Sequence, residues 1–150
     1  MDEIDRMILA EIQRDATITS EALGHRLGLS ASQAGRRRAR LEAGGYVHAV
    51  RARLDPDRLG LSVQAFVQVQ MATHAPRAAQ DFLRLLTART EVVGVWTLTG
   101  EADYLLRIYV PDLAALNALI HRTLLPHEAV ARVHSQIVMD QPKRDGPLPV

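Results

Sequence analysis

Residues 19–43 read TSEALGHRLGLSASQAGRRRARLEA, and this segment predicts two helices joined by a tight turn. Thr19 is a residue type that caps helix N-termini, and Gly28 stands where a left-handed C-terminal stop is expected. Ser30 and Gln33 form the S-x-x-Q capping box of the next helix, which we expect from about residue 31 to residue 43. Helix, short turn and helix in this order are typical of the helix-turn-helix.

A further helix is predicted before this segment. Ile4, Met7, Ile8 and Ile12 recur at helical spacing, which indicates an amphipathic helix over residues 3–14. We therefore assign residues 1–45 to a three-helix domain of the helix-turn-helix, winged-helix-like type.

Charge is distributed unevenly along this domain. Residues 1–23 hold two arginines and six acidic residues, whereas residues 24–53 hold seven arginines and one glutamate. Helical spacing places Ser32, Arg36 and Ala39 on the outward side of the predicted third helix. Small residues let a helix approach base edges, and arginine donates two hydrogen bonds to guanine or neutralises a phosphate. A solvated helix surface is the alternative interpretation.

We expect the basic helix to contact double-stranded DNA, with Arg36 as the first candidate for a base contact. The expected DNA-contacting residues are Ser30, Ser32, Gln33, Arg36, Arg37, Arg40 and Arg51. Arg37 and Arg38 flank the apolar stripe, where their guanidinium groups are in reach of Glu11, Asp15 or a phosphate. Gly35 weakens a helix by about 1 kcal/mol relative to alanine, which indicates either a close approach at this position or a tolerated substitution.

The C-terminal two thirds alternate between strand and helix patterns. Residues 46–61 are predicted to be a linker, with an extended strand from Tyr46 to Leu54. Strands are expected at about 63–71, 92–99, 103–110 and 130–140, and helices begin near Pro76 and Pro111. The order β-α-β-β-α-β over residues 62–141 predicts an α+β, ferredoxin-like domain with an antiparallel sheet and both helices on one face. Because Val63, Val67 and Trp96 cannot all face the helices, we expect a partner subunit on the other face. Residues 142–150 are expected to be a mobile tail.

The composition limits the classes of protein that this chain can represent. The sequence has 150 residues, 47% of them hydrophobic, and no cysteine, which excludes disulfides and thiolate metal sites. No stretch of about 18 uncharged apolar residues occurs, and the N-terminus has no basic segment before an apolar run. We expect a cytoplasmic protein without a membrane partner.

The order of these features resembles the Lrp/AsnC (leucine-responsive regulator and asparagine regulator) family of transcription regulators over nearly the whole chain. The resemblance rests on Ile4-Asp5, Leu27-Gly28-Leu29-Ser30, Asp55-Pro56, Gly100-Glu101-Ala102-Asp103-Tyr104-Leu105-Leu106 and Val110-Pro111-Asp112. It implies a homodimer that assembles further into tetramers or octamers. It also implies a nucleoid-associated transcription regulator whose oligomeric state or DNA affinity responds to an amino-acid-like effector.

The same resemblance implies an effector site near the Gly100 turn. Its expected residues are Thr99, Gly100, Glu101, Asp103, Tyr104, Ser135 and Gln136. Free backbone N–H groups of this turn are suited to donate to the carboxylate of an effector, and Asp103 to pair with its ammonium group. The alternative for Asp103 is a turn residue that caps its own backbone.

Three positions depart from the family pattern. Arg38 stands where an apolar residue is usual, and His127-Glu128-Ala129-Val130 replaces Leu-Pro-Gly-Val. Val133-His134-Ser135 replaces Thr-x-Thr in the last strand. These departures leave open a different packing of the third helix, a different effector, or a lost response to an effector.

Catalytic motifs are absent from the sequence. It contains no P-loop, dinucleotide fingerprint, H-E-x-x-H or G-x-S-x-G, and its six histidines form no i, i+4 pair. We therefore expect no enzyme, no cofactor and no metal. Two alternatives remain: an enzyme similar to siroheme decarboxylases that uses Arg107, His121 and His134, or an effector-binding module that no longer binds DNA.

Overall fold

The computed structural model describes residues 1–150, and the chain divides into two compact units. The first unit consists of Met1–Arg53 together with Pro142–Val150. The second unit consists of Leu54–Gln141.

The first unit contains three helices, as predicted. They are α1 (Glu3–Arg14), α2 (Ser20–Leu27) and α3 (Ala31–Ala43). Their apolar faces meet in one core, because the isoleucines and leucines of α1 pack against the inward sides of α2 and α3. The buried residues of this core are Ile8, Leu9, Ile12, Ile18, Leu23, Ala34 and Leu41.

The second unit confirms the predicted β-α-β-β-α-β order. Its elements are β1 (Val63–Met71), α4 (Pro76–Thr87), β2 (Val92–Thr97), β3 (Tyr104–Val110), α5 (Leu113–Leu119) and β4 (Val130–Ile137). A 3-10 turn (Asp57–Leu59) precedes β1, and a π-helical turn (Ile120–Leu124) extends α5. The strands form an antiparallel sheet in the order β2-β3-β1-β4.

One face of the sheet packs against the helices. Val67 of β1 lies opposite Leu106 of β3, and both are fully buried beneath Phe82 of α4 and Leu116 of α5. Val63 and Val67 both belong to the helix-covered core, so Trp96 is the one of these three residues that faces away from the helices. The period-two pattern of β1 is thus the burial pattern of an antiparallel strand with one covered face.

We call the other side of the sheet the helix-free face. Trp96 lies on it, beside Leu105, and the indole ring folds over Gly94. Its central and edge strands present mainly polar side chains there: Gln64, Gln68 and Gln70 from β1, Arg107 from β3, and Arg132, His134 and Gln136 from β4.

Two predicted segments differ in the structure. Residues 46–54 form no strand, because no neighbouring strand shares backbone hydrogen bonds with them. The C-terminal segment groups with the first unit and is not a separate tail. The Gln13 side chain holds it: its Nε2 donates to the carbonyl of Leu148 (3.2 Å), and its Oε1 accepts the N–H of Leu148 (2.6 Å).

No helix in the structure has both the length and the apolar character that crossing a membrane requires.

Candidate nucleic-acid interface and effector cavity

The turn between α2 and α3 has the predicted capping geometry. Gly28 adopts a left-handed backbone with φ of 67° and ends α2. The Ser30 hydroxyl accepts the N–H of Gln33 (3.2 Å), and the Gln33 side chain accepts the N–H of Ser30 (3.0 Å). These bonds fix where α3 begins relative to α2.

Two further glycines let the helices approach closely. A Cβ atom on Gly24 would lie 2.6 Å from the carbonyl oxygen of Leu29, so only glycine fits beneath the turn. A Cβ atom on Gly35 would lie 3.0 Å from the hydroxyl oxygen of Ser20. The close approach that the sequence suggested at Gly35 is therefore contact between α3 and α2.

The outward face of α3 presents Arg36 to solvent. Ser32 and Ala39 are also exposed, and Gly35 is half-buried. Arg36 makes no hydrogen bond or ion pair within the chain. An unpaired guanidinium group beside small side chains retains all of its donors for an acceptor outside the protein.

Arg37 and Arg40 pair with acidic residues at the start of α1. Arg37 Nη1 donates to Asp2 (2.7 Å) and to Asp5 (2.8 Å), and Arg40 Nη2 donates to both oxygens of Asp5 (2.9 and 2.7 Å). Burial opposes ionisation of Asp5. Hydrogen bonds from the Asp2 N–H and Arg37, with the charge of Arg40, nevertheless hold its pKa below the usual range. The bond from Arg37 likewise lowers the pKa of Asp2.

Arg38 stabilises the loop between α1 and α2. Its guanidinium group donates to the carbonyl oxygens of Ile18 (2.8 Å) and Ala16 (3.0 Å), and its Nε bonds Glu42 (2.8 Å). The expected partners Glu11 and Asp15 are wrong for both Arg37 and Arg38. Glu11 pairs instead with Arg14 and Arg26.

Arg51 lies outside the helices. It is exposed in the segment after α3 and makes no ion pair within the chain. The structure thus leaves Arg36 and Arg51 unpaired among the arginines expected at DNA.

In the second unit, Asp103 joins β1 to the turn before β3. Its Oδ2 accepts the N–H of Met71 (2.7 Å), and its own N–H donates to the carbonyl of Val69 (2.9 Å). The other carboxylate oxygen lies 3.7 Å from His74 Nδ1. Asp103 therefore accepts a backbone hydrogen bond, but from a neighbouring strand and not from its own turn as the alternative interpretation proposed.

An open cavity of about 290 Å³ lies where the Gly100 turn meets β1 and β4. Gln68 lies opposite His134, and Gln70 lies opposite Arg132, on the helix-free face. The residues that line the cavity are Gln68, Gln70, Glu101, Ala102, Arg132 and His134. The side chains are polar throughout, except for Ala102, and they include one carboxylate and one guanidinium group.

Only part of the expected effector set is at this cavity. Glu101 lines it, and Thr99 and Gly100 are exposed in the same turn, where Gly100 has a φ of 111°. Tyr104 does not line it, because the Tyr104 ring packs 5.8 Å from Phe82 in the core.

The two expected residues of β4 are separated by the alternation of the strand. Ser135 lies opposite Val67, on the side of the sheet away from the cavity. Gln136 lies opposite Phe66, on the helix-free face but outside the cavity lining. The structure therefore does not bring Ser135 and Gln136 together.

Comparison with protein families gives two consecutive matches. Residues 1–42 match the AsnC-type helix-turn-helix domain, and residues 64–148 match the Lrp/AsnC ligand binding domain. The chain belongs to the Lrp/AsnC family. No group of three or more His, Cys, Asp or Glu side chains in it is arranged to hold a metal ion.

Relatives in this family align over almost the entire chain. The DNA-binding transcriptional activator DecR of Escherichia coli K12 is 33% identical over 150 residues, which is 100% of this chain and 99% of the relative. The leucine-responsive regulatory protein of Salmonella typhimurium is 33% identical over 148 residues, covering 99% of this chain and 90% of the relative. These relatives are transcription regulators, and nothing among them supports the decarboxylase alternative.

Solved structures of the Lrp/AsnC family share the fold. A transcriptional regulator from Neisseria meningitidis, crystallised in complex with L-Met, superposes with a TM-score of 0.94 at 34% identity and covers 99% of this chain and 96% of its own. An AsnC family regulator from Agrobacterium tumefaciens gives a TM-score of 0.91 at 34% identity, with 99% and 97% covered.

The expected effector set lacked four polar residues of the cavity: Gln68, Gln70, Arg132 and His134. Their spacing of two within β1 and within β4 places each pair on one side of its strand. The register between β1 and β4 was needed to bring the pairs together, and the sequence does not specify it.

Proposed function

We propose that this protein is a sequence-specific DNA-binding transcription regulator that inserts α3 into the major groove. The observation that supports this proposal is Arg36: exposed, unpaired and flanked by small residues on the outward face of the second helix of a helix-turn-helix. The proposed contacts are Ser30, Ser32, Gln33, Arg36, Arg40 and Arg51. Arg37 is left out of the proposed DNA contacts because its guanidinium group is bonded to Asp2 and Asp5.

The proposed regulator acts as a homodimer or a larger assembly near the bacterial nucleoid. Two copies of α3, related by a two-fold axis and about 34 Å apart, would enter successive major grooves on one side of a duplex. The polar and aromatic helix-free face supports this proposal, since no element of the chain's own sheet unit covers it.

Replacing Arg36 with alanine is expected to weaken binding to a cognate duplex by about 1–3 kcal/mol, since one base contact is lost. The duplex is isolated by the wild-type protein from a random pool, and affinity is measured by fluorescence anisotropy at several salt concentrations. Arg6→Ala is the matched control, because it removes the same charge from an exposed position on α1.

A scrambled duplex of the same length decides how Arg36 acts. We expect Arg36→Ala to lower the affinity of the protein for the scrambled duplex much less than its affinity for the isolated duplex. An equal loss on both duplexes would identify Arg36 as a phosphate contact and contradict the proposed base contact. Failure of the folded wild-type protein to bind any duplex in dilute buffer would refute the proposed function itself.

We propose further that an α-amino acid binds in the cavity beside the Gly100 turn. Arg132 is suited to pair with its carboxylate and Glu101 with its ammonium group. Gln68, Gln70 and His134 supply polar contacts, which favours an effector with a polar side chain. The relative crystallised with L-Met supports an amino acid as the ligand class.

Arg132→Gln and Glu101→Gln are each expected to weaken effector binding about tenfold or more, because each removes one charged partner. Calorimetry with the twenty common amino acids first identifies the effector. Arg77→Gln is the matched control, since Arg77 is an exposed arginine of the same unit beside a different cavity. Unchanged affinity in both cavity variants would place the effector elsewhere.

Effector binding is expected to change DNA affinity through the assembly. A coupling of about 1–3 kcal/mol is typical of such linkage and corresponds to a 5- to 150-fold change in DNA affinity.

A further inference from the structure

The four arginines of α3 occupy different environments. Arg36 is free, and Arg38 is fixed to the loop between α1 and α2. Arg37 is largely covered, with 27% of its side chain exposed, whereas Arg40 is 63% exposed although it is ion-paired. Arg40 therefore combines an anchored guanidinium group with access to solvent.

The anchor of Arg40 is Asp5, the one charged residue of the chain that is buried. The Asp5 side chain is 2% exposed, and its two oxygens accept bonds from Arg37, from Arg40 and from the N–H of Asp2. Arg40 uses only its Nη2 nitrogen for these bonds. Its Nη1 and Nε groups make no hydrogen bond within the chain, so their N–H groups remain available as separate donors.

Arg36 and Arg40 are neighbours on the helix surface. Residues four apart on a helix lie one turn apart on the same side, so the two side chains leave α3 on the same side. An arginine side chain loses considerable rotamer freedom when it binds, and a side chain that is already oriented loses less.

We propose that Asp5 is a positioning residue for DNA recognition, which orients Arg40 beside Arg36 so that both guanidinium groups meet the duplex in one arrangement. This inference rests on the proposed function. Asp5 also offsets one positive charge of α3, which lowers the affinity for DNA of any sequence. The fixed orientation of Arg40 raises the affinity for the duplex whose bases it fits. Asp5 thus raises the ratio of specific to non-specific affinity without touching DNA.

The full-length protein tests this role through Asp5→Asn, with Asp2→Asn as the matched control. Both changes remove one negative charge from the same cluster, and asparagine remains a good N-cap at position 2. Asp2, however, is 52% exposed and bonds Arg37 but not Arg40. Affinity is measured for the duplex isolated from a random pool and for its scrambled counterpart, on protein shown by circular dichroism to be folded.

Asp5→Asn is expected to weaken binding to the isolated duplex about tenfold, the size of one lost hydrogen bond from a charged donor. Binding to the scrambled duplex is expected to stay unchanged or to strengthen. Asp2→Asn is expected to leave the ratio of the two affinities near the wild-type value. In the double variant Asp5→Asn/Arg40→Ala, the loss is expected to equal that of Arg40→Ala alone, because both changes remove the same oriented group.

Arg40→Lys tests the inference independently if Asp5→Asn does not fold. A lysine ammonium group keeps the charge but has all of its donors on one nitrogen. It therefore cannot hold Asp5 with one nitrogen and reach the duplex with another, so a tenfold loss on the isolated duplex is expected. Retained affinity in Arg40→Lys, or equal ratios in Asp5→Asn and Asp2→Asn, would overturn the positioning role while leaving the proposed function intact. A wild-type protein that isolates no duplex refutes the proposed function instead.

Discussion

Replacing Phe82 with alanine is expected to lower the free energy of unfolding of the second unit by about 3–5 kcal/mol, the usual cost of removing a buried aromatic ring. Phe82 is fully buried, and its ring contacts Tyr104 and, at a centroid distance of 5.1 Å, His127. It therefore joins α4 to β3 and to the loop before β4. Because the cavity residues Glu101 and Arg132 adjoin these elements, effector binding is expected to weaken as well.

The only tryptophan of the chain reports this change. Trp96 lies on β2, so the midpoint of urea unfolding followed by tryptophan fluorescence measures the second unit. Leu113→Ala is the control, since Leu113 is 57% exposed at the start of α5 and its truncation leaves no cavity in the core. A fluorescence midpoint that moves equally in both variants would contradict the central packing role of Phe82.

Replacing Gly24 with alanine is expected to destabilise the first unit by about 3 kcal/mol and to abolish DNA binding at the growth temperature. The added methyl group would lie against backbone atoms of Leu29, Ser30 and Ala31, none of which moves without opening the turn. The Gly24 carbonyl also accepts the N–H groups of Gly28 and Leu29. Opening the turn therefore breaks hydrogen bonds as well as packing.

Gly35→Ala, in α3, is the comparison for Gly24→Ala in α2. Its methyl group meets only the Ser20 side chain, which can rotate, and alanine favours the helix by up to about 1 kcal/mol. We expect near-neutral stability there. Urea unfolding is followed by helical circular dichroism and by tryptophan fluorescence. Gly24→Ala should lower the midpoint of the helical unfolding transition and leave the midpoint of the fluorescence transition unchanged. Equal stabilities of the two alanine variants would refute the clash at Gly24.

Local sequence signals predicted the local structure well. The capping box of Ser30 and Gln33, the left-handed Gly28 and the alternation in β1 depend on residues a few positions apart, and the structure shows all three. Each of these features depends on how a side chain interacts with backbone only a few residues away, so the local sequence is enough to predict it.

Contacts between distant segments were harder to predict. Several acidic residues in and beside α1 were within reach of Arg37, and the packing of the helices selects Asp2 and Asp5 over Glu11 and Asp15. Ser135 was expected at the effector site, but the register of β4 against β1 turns it to the other side of the sheet. A shift of one residue in strand register exchanges the two faces, and no local signal sets that register.

The hydrogen bonds between Gln13 and Leu148 make the first unit discontinuous in sequence. Its two pieces flank the second unit, which is thus formally an insertion into the first. A fragment of residues 54–141 would contain the complete sheet unit. A fragment that ends at residue 53 would lack Leu148, the backbone partner of Gln13. Affinity tags on either end of the chain would likewise be attached to the helical unit.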